Sequence, residues 1–316
     1  MKKVLITGAG GYIGTELCEY LAENNYHIHA LDTFWFKNKI KQHKKIKIIK
    51  KDIRYLKNDE FPTSVDTVIH LAAISNDPSA EINPKLSWEV NVLGLLNILN
   101  LSWKNKVKKF IFASSGSVYG IKKEKKVNER LSLVPISEYN KTKMIGEKIV
   151  ESFKDKMKTI LLRPATVCGP SKNIRLDLTI NMLTYHAIKK RKINVFGGTQ
   201  YRPNLSLSDM ISVYHFFIKK NLTGTFNVGF ENERVIDIAK KISKKIKKTD
   251  INRSKSNDKR SYRLDSTKLL RKGYKKVSNI SNEIDKLQKY YFSKNFKFSD
   301  NMIRIKYLKK FLNESV

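Results

Sequence analysis

The segment KVLITGAGGYIG, residues 3–14, constrains the fold of this chain more than any other stretch. A short apolar run ends at Thr7, glycines follow at positions 8, 11 and 14, and residues 15–24 read as a helix. Glycines at that spacing permit a tight turn and let the backbone come close to a pyrophosphate, which then rests on the amino end of the helix. The surroundings agree with that use. A strand pattern precedes the loop, a helix pattern follows, and Asp32 ends the next apolar run, YHIHALD. A carboxylate there accepts hydrogen bonds from an adenosine ribose 2′-OH and repels a 2′-phosphate. No arginine stands in the glycine loop or just after Asp32, which favours NAD over NADP, with Lys37 and Lys39 nearby as the opposing feature.

The same alternation continues. IKIIKKDI, VDTVIHLAA, VKKFIFASS and KTILLRPATV read as further strands, separated by helical patterns that include residues 84–105 and the segment after Ser137. Buried strands alternating with helices imply right-handed crossovers and an α/β, Rossmann-like, doubly wound parallel sheet. We assign residues 1–165 to this dinucleotide-binding domain, with some later segments returning to it. Residues 166–316 form a smaller α/β C-terminal substrate lobe, with INVFGG and TFNVGF as candidate strands, packed over the carboxyl edge of the sheet. The basic tail reads as helical and receives no chemistry.

Composition narrows the function. The net charge of +34 suggests a polyanion partner. The densest run, KKISKKIKK at 240–248, argues otherwise. Ile238, Ile242 and Ile246 recur every four residues, so the lysines occupy the solvated face of an amphipathic helix. Arginine, the side chain suited to bidentate contacts with bases and phosphates, is scarce at 12 residues. We expect a lysine-rich surface and no specific nucleic-acid partner. Two cysteines, Cys18 and Cys168, lie far apart, match no metal-ligand spacing and fit a reducing compartment. The apolar run at residues 4–6 is too short for a secretory leader, and no stretch of 18 apolar residues exists to span a membrane. A cytoplasmic protein follows.

SEYNKTKMIGEK, residues 137–148, places Lys143 one helical turn after Tyr139. In a chain with 14 Tyr and 51 Lys, chance alone yields roughly two Tyr-x-x-x-Lys pairs. There are four: Tyr119/Lys123, Tyr139/Lys143, Tyr185/Lys189 and Tyr290/Lys294. Only Tyr139/Lys143 stands on a helix that follows a strand-end serine, Ser115, behind a complete dinucleotide fingerprint.

With TGAGGYIG, KDI at 51–53, HLAA at 70–73, NVLGLLNIL at 91–99, FASSGSVYG at 112–120, EYNKTK at 138–143, RPATVCGP at 163–170 and RPNLSLSDM at 202–210, the chain resembles an extended short-chain dehydrogenase/reductase of the NAD-dependent nucleotide-sugar epimerase/dehydratase family. The resemblance implies an enzyme with Tyr139 as general acid/base, Lys143 as its partner and Ser115 as the hydroxyl that binds the reacting oxygen. A lysine ammonium one turn away, together with the positive charge of the nicotinamide, would lower the tyrosine pKa. It further implies NAD contacts from Gly8, Gly11, Tyr12, Ile13, Gly14, Asp32, Asp52, Ile53, Leu71, Ala72, Ala73, Asn91 and Pro164, besides Tyr139 and Lys143. The substrate, a nucleoside-diphosphate sugar, would meet Ser75, Ser115, Ser117, Thr166 and Asn181. Arg202 and Arg260, with Arg263 in reserve, would grip its diphosphate. Ser114 reads as a structural hydroxyl, and Cys168 and His186 as packing residues. A homodimer through helices 84–105 and 139–155 also follows from the resemblance.

The reaction type is narrower still. Sugar 4,6-dehydratases of the family carry an Asp-Glu pair after the catalytic hydroxyl residue, and enzymes that epimerise C3 and C5 carry a cysteine there. This chain has Gly116 and Ser117. What remains is oxidation of C4 of the sugar. Returning the hydride to the opposite face gives a UDP-glucose 4-epimerase-like enzyme. Releasing the ketone gives a 4-dehydrogenase, which the resemblance of CGPSKNIRLDLTINMLT to enzymes that oxidise GDP-heptose supports. A non-catalytic NAD- or nucleic-acid-binding module is the reading from another class, motivated by the charge.

Overall fold

The computed structural model describes residues 2–255 and 261–313. Its strands are β1 (Lys3–Thr7), β2 (His27–Asp32), β3 (Ile46–Lys50), β4 (Thr67–His70), β5 (Lys109–Ala113), β6 (Lys158–Pro164), β7 (Thr166–Cys168), β8 (Lys192–Phe196), β9 (Tyr201–Ser206), β10 (Gly224–Val228), β11 (Glu231–Arg234) and β12 (Asp250–Ser254). Seven of them form one sheet in the order β10-β6-β5-β4-β1-β2-β3, parallel throughout. The chain winds outward from β1 to β3 and then from β4 to β6 on the other side. The order therefore reverses between β1 and β4, and a crevice opens at their carboxyl ends.

Both faces of the sheet are covered, which explains why its strands are continuous apolar runs rather than alternating ones. In β1, Val4 and Ile6 enter one core together with Leu17 and Leu21 of the helix Tyr12–Glu23. Leu5 between them enters the opposite core with Val68, Ile98 and Phe110. Alternate side chains of one strand thus anchor two layers.

The structure corrects several expected boundaries. The helix after the glycine loop starts at Tyr12 rather than Thr15, so Gly14 lies inside its first turn. Residues 84–104 are helical, but a π-helical turn, Glu89–Gly94, interrupts them where Gly94 meets Ile53. KTILLRPATV breaks after Pro164, and β7 leaves the main sheet for a three-stranded one, β11-β9-β7. β10, from the TFNVGF run expected in the smaller lobe, instead pairs with β6 at the edge of the main sheet. β8 pairs with β12. The helix Val235–Lys245 buries Ile238 and Ile242 while Lys240, Lys241 and Lys244 are exposed. No described helix is long and apolar enough to cross a membrane.

Candidate active site

A cavity of about 730 Å³ opens over the carboxyl ends of the central strands. Its floor is the glycine loop. Gly8 has φ +74°, and a Cβ there would lie 2.5 Å from the Ala72 nitrogen. At Gly14 a Cβ would lie 2.3 Å from the Gly8 oxygen. Both positions exclude side chains because backbone passes directly against backbone. The helix Tyr12–Glu23 begins at this loop with no side-chain cap and no acidic residue in its first turn. Its leading N–H groups therefore face the cavity as an anion site.

Asp32 ends β2 beside the loop. Its carboxylate accepts N–H bonds from Gly10 (3.0 Å) and Phe34 (2.6 Å), and burial raises its pKa. Each oxygen keeps acceptor capacity for a ribose hydroxyl. Asp52, Ile53, Leu71, Ala72 and Ala73 line the neighbouring wall, with Asp52 forked onto Arg54. Lys37 and Lys39 are not among the lining residues. Close backbone approach, uncapped helix N–H groups and a carboxylate at the strand end fit a dinucleotide with a free 2′-hydroxyl.

At the other end, Ser115, Ser117, Tyr139, Lys143, Pro164 and Thr166 share the cavity. The helix Glu138–Glu151 starts at Ser137, whose hydroxyl accepts the Asn140 N–H at 3.2 Å. That cap sets Tyr139 in the first turn, facing the end of β5. The Ser115 and Ser117 hydroxyls are 2.8 Å apart, Ser117 donates to Asn140 Oδ1, and Ser115 is near enough to the Tyr139 phenol to pull its pKa down. Lys143 Nζ donates to the Ala113 carbonyl at 2.8 Å and lies 5.9 Å above the Tyr139 ring. The tyrosines of the other three Tyr-x-x-x-Lys pairs do not line the cavity.

In the protein alone, the lysine's expected share of the electrostatics is not seen. Burial raises Tyr139 to about 12, and the groups that pull it back are Arg175 and Ser115 rather than Lys143. Burial also lowers Lys143 to about 7, with Glu147 partly opposing. Desolvation of both partners outweighs their mutual effect in the free protein. Beneath them, Glu147 takes a fork from Arg163 (2.8 and 2.6 Å) and a bond from the Ser114 hydroxyl, which is thereby engaged inside the protein.

Three expected contact residues have polar side-chain groups engaged within the protein. Asn91 does not reach the cavity. Its amide is buried and exchanges hydrogen bonds with the Ile74 backbone, holding the loop after β4 in place. Asn181 is likewise consumed, accepting from Gly169 N and donating to the Arg175 carbonyl and Tyr12 hydroxyl. Tyr12 lines the cavity, but its hydroxyl donates away from it, to the Gly169 carbonyl. Gly11, Ile13, Ser75 and Arg202 line the cavity. Arg260 lies outside the described residues, and Arg263 stacks on Tyr201 at 3.7 Å. Cys168 is buried, and His186 stands outside the cavity against Tyr185.

Sequence reasoning missed Arg175, Asp177, Tyr214 and Arg304, all in the lining. Arg175 forks onto Asp177 (3.0 and 2.8 Å) and donates to Ser75 at 2.8 Å. The Tyr214 hydroxyl is buried with no hydrogen-bond partner among the described residues. The RLD triplet at 175–177 was the available signal for the first two; the others carry no local pattern.

Comparison with known proteins places this geometry. The model of the NAD dependent epimerase/dehydratase family matches residues 4–229. The chain is 32% identical, over 72% of its length and 76% of the relative's, to the uncharacterized UDP-glucose epimerase YtcB of Bacillus subtilis (strain 168). It is 28% identical to the UDP-glucose 4-epimerase of Lactobacillus helveticus, over 76% of this chain and 82% of that one. Among solved structures, the UDP-glucuronic acid 4-epimerase of Bacillus cereus, in complex with UDP-glucuronic acid and NAD, superposes with a TM-score of 0.80. The identity is 29%, covering 92% of this chain and 98% of the other.

Proposed function

This chain belongs to the NAD-dependent epimerase/dehydratase family of enzymes, and from that premise we propose that it is a nucleotide-sugar 4-epimerase that transiently oxidises C4 of a nucleoside-diphosphate sugar. One observation carries the reading. Ser115, Ser117 and Tyr139 form a polar array at the sugar end of the cavity, the two serine hydroxyls hydrogen-bonded to each other and Ser115 acting on the phenol, with no acid beside Ser115 to expel water. The nearest carboxylates are engaged: Asp177 by Arg175 and Asn76, and Asp77 by the Ser137 hydroxyl. Such an array can remove and return a hydroxyl proton and is not equipped for elimination. The similarity to proteins named as 4-epimerases adds support.

The glycine loop, Asp32 and the 71–73 wall hold NAD, which when bound supplies the acceptor and donor of the C4 hydride. The residues of the chain handle the proton. Tyr139 takes it at the phenol oxygen, and Ser115 orients the reacting oxygen. With a pKa of about 12, phenolate is on the order of one part in 10⁵ at pH 7 in the free protein. Positive charge gathered against the ring, as Arg175 already provides, raises that fraction. Arg202 is assigned to the substrate diphosphate, for which a guanidinium fork is suited.

The test is incubation with NAD and a panel of UDP-, GDP- and CDP-sugars, followed by NMR of the product and absorbance of NADH. We expect inversion at C4 without net NADH. Net NADH with a 4-keto product would make the enzyme a 4-dehydrogenase, and loss of water a dehydratase; either outcome refutes the epimerase. Tyr139→Phe is expected to lower turnover by at least about 100-fold while NAD still binds. The same reading includes a homodimer through helices 84–105 and 139–155, where Leu93 and Leu96 are exposed; a monomer in sedimentation velocity excludes it.

A further inference from the structure

The last helix, Arg304–Asn313, forms part of the cavity wall through Arg304, Ile305 and Leu308. It docks on the loop that follows Asp32. Tyr307 donates to the Trp35 carbonyl at 2.5 Å, Phe311 packs on Trp35, and Leu308 is buried with Ile74 and Ala80.

Arg304 is only 4% exposed. Its guanidinium donates to the Asn301 carbonyl (2.5 Å) and to the backbone and side-chain oxygens of Asn173 (3.2 and 2.9 Å), and it stacks on Phe36 at 3.8 Å. All of these partners are neutral. Among the described residues Arg304 makes no ion pair, although Arg163 and Arg175, the other deeply buried arginines of the site, each fork onto a carboxylate. A buried guanidinium with carboxylates in its neighbourhood but none in direct contact is costly, since buried charges are normally paired and hydrogen-bonded. This one borders the cavity, so an anion in direct contact can arrive with a ligand.

Position identifies which anion. Asn173, which holds Arg304, donates to the Gly10 carbonyl at 2.5 Å and so ties the guanidinium to the glycine loop. The field of Arg304 reaches Asp32, which marks the ribose end, and also the Arg175–Asp177 pair, whose arginine acts on Tyr139. The part of a dinucleotide that lies between adenosine and nicotinamide ribose, and the part that is anionic, is its diphosphate.

We propose that Arg304 supplies the counter-charge to the NAD diphosphate, which makes the C-terminal helix a component of the cofactor site. The inference rests on the cavity being the NAD site. It also implies that NAD ties the helix to the body of the protein, since the ligand bridges the glycine loop and Arg304.

Calorimetric titration of the full chain and of Arg304→Met with NAD, ADP-ribose, adenosine and UDP tests this. NAD and ADP-ribose affinities are expected to fall by roughly 10- to 100-fold, with adenosine and UDP unchanged, and Arg304→Lys is expected to recover part of the loss. NAD affinity within about threefold of the parent, an equal loss for adenosine, or a loss confined to UDP overturns the proposal. Should Arg304→Met not fold, hydrogen exchange on the parent protein decides. NAD and ADP-ribose should slow exchange across 304–313 and adenosine should not; no slowing overturns the proposal. An active epimerase in which Arg304→Met binds NAD normally refutes this inference alone. The expected NAD pattern in a protein that epimerises no nucleotide sugar refutes the catalytic reading alone.

Discussion

Lys143→Met turns the electrostatics of the site into a stability measurement. Lys143 is 3% exposed, held by the Ala113 carbonyl, and burial lowers its pKa from 10.5 to about 7. In the unfolded chain the same side chain stays protonated until about pH 10.5. Between the two values the unfolded state binds one proton more than the folded state, so the lysine penalises folding, and stability rises with pH. The full penalty, present below pH 7, is on the order of 5 kcal/mol. It falls by about 1.4 kcal/mol per pH unit and vanishes above the unfolded pKa. Methionine removes the titration and keeps most of the volume. Loss of the Ala113 hydrogen bond adds a roughly constant offset of about 1 kcal/mol, which does not tilt the curve. Urea denaturation of both proteins from about pH 6.5 to about pH 9.5 should give a variant whose advantage shrinks steadily as pH rises. Parallel stability curves would refute the claim that Lys143 loses its charge near neutrality.

Two further outcomes follow from close contacts. Gly14→Ala places a Cβ 2.3 Å from the Gly8 oxygen and 2.8 Å from Ala9 atoms, all of them backbone that cannot rotate away. We expect a loss of about 1–3 kcal/mol in thermal unfolding and no calorimetric NAD binding; undiminished NAD binding would show that the loop is not pressed against its own helix. Glu147→Gln leaves the Arg163 guanidinium buried with its fork neutralised and withdraws the anion that supports Lys143. Urea unfolding should register a loss of about 3–5 kcal/mol, and a loss under about 1 kcal/mol would deny the pair a structural role.

The features visible in the sequence are those that one short segment fixes for itself. The glycine loop must turn tightly and admit backbone at van der Waals distance, so its residues are dictated locally. The strands of the main sheet are buried on both faces, so Leu5 is as apolar as Val4 and Ile6 although they enter different cores. Even β10 was recognisable as a strand. Its place beside β6 was not, because the partner of an edge strand lies far away in the chain. Asn91 and Asn181 mark the same limit. A polar side chain near a site motif looks identical whether it greets a ligand or satisfies a loop, and here the backbone of Ile74 and of Gly169 takes them up.

Charge in the site obeys the same division. Spacing along a helix brings Tyr139 and Lys143 together, but the sequence has no measure of how dry their surroundings are. Dryness dominates in the free protein, raising the phenol and lowering the amine. The groups that counter it come from elsewhere: Arg175 from the segment after β7, Glu147 from one turn further along the helix. Arg304, delivered by the final helix, extends this pattern to the cofactor end, where a cation is buried against neutral hydrogen-bond partners. The cavity is therefore electrostatically incomplete as it stands. A dinucleotide diphosphate lends counter-charge at one end, and added positive charge beside Tyr139 moves the phenol toward the form that accepts a proton. On this account, cofactor binding at one end and activation of the tyrosine at the other each depend on a buried arginine, Arg304 and Arg175.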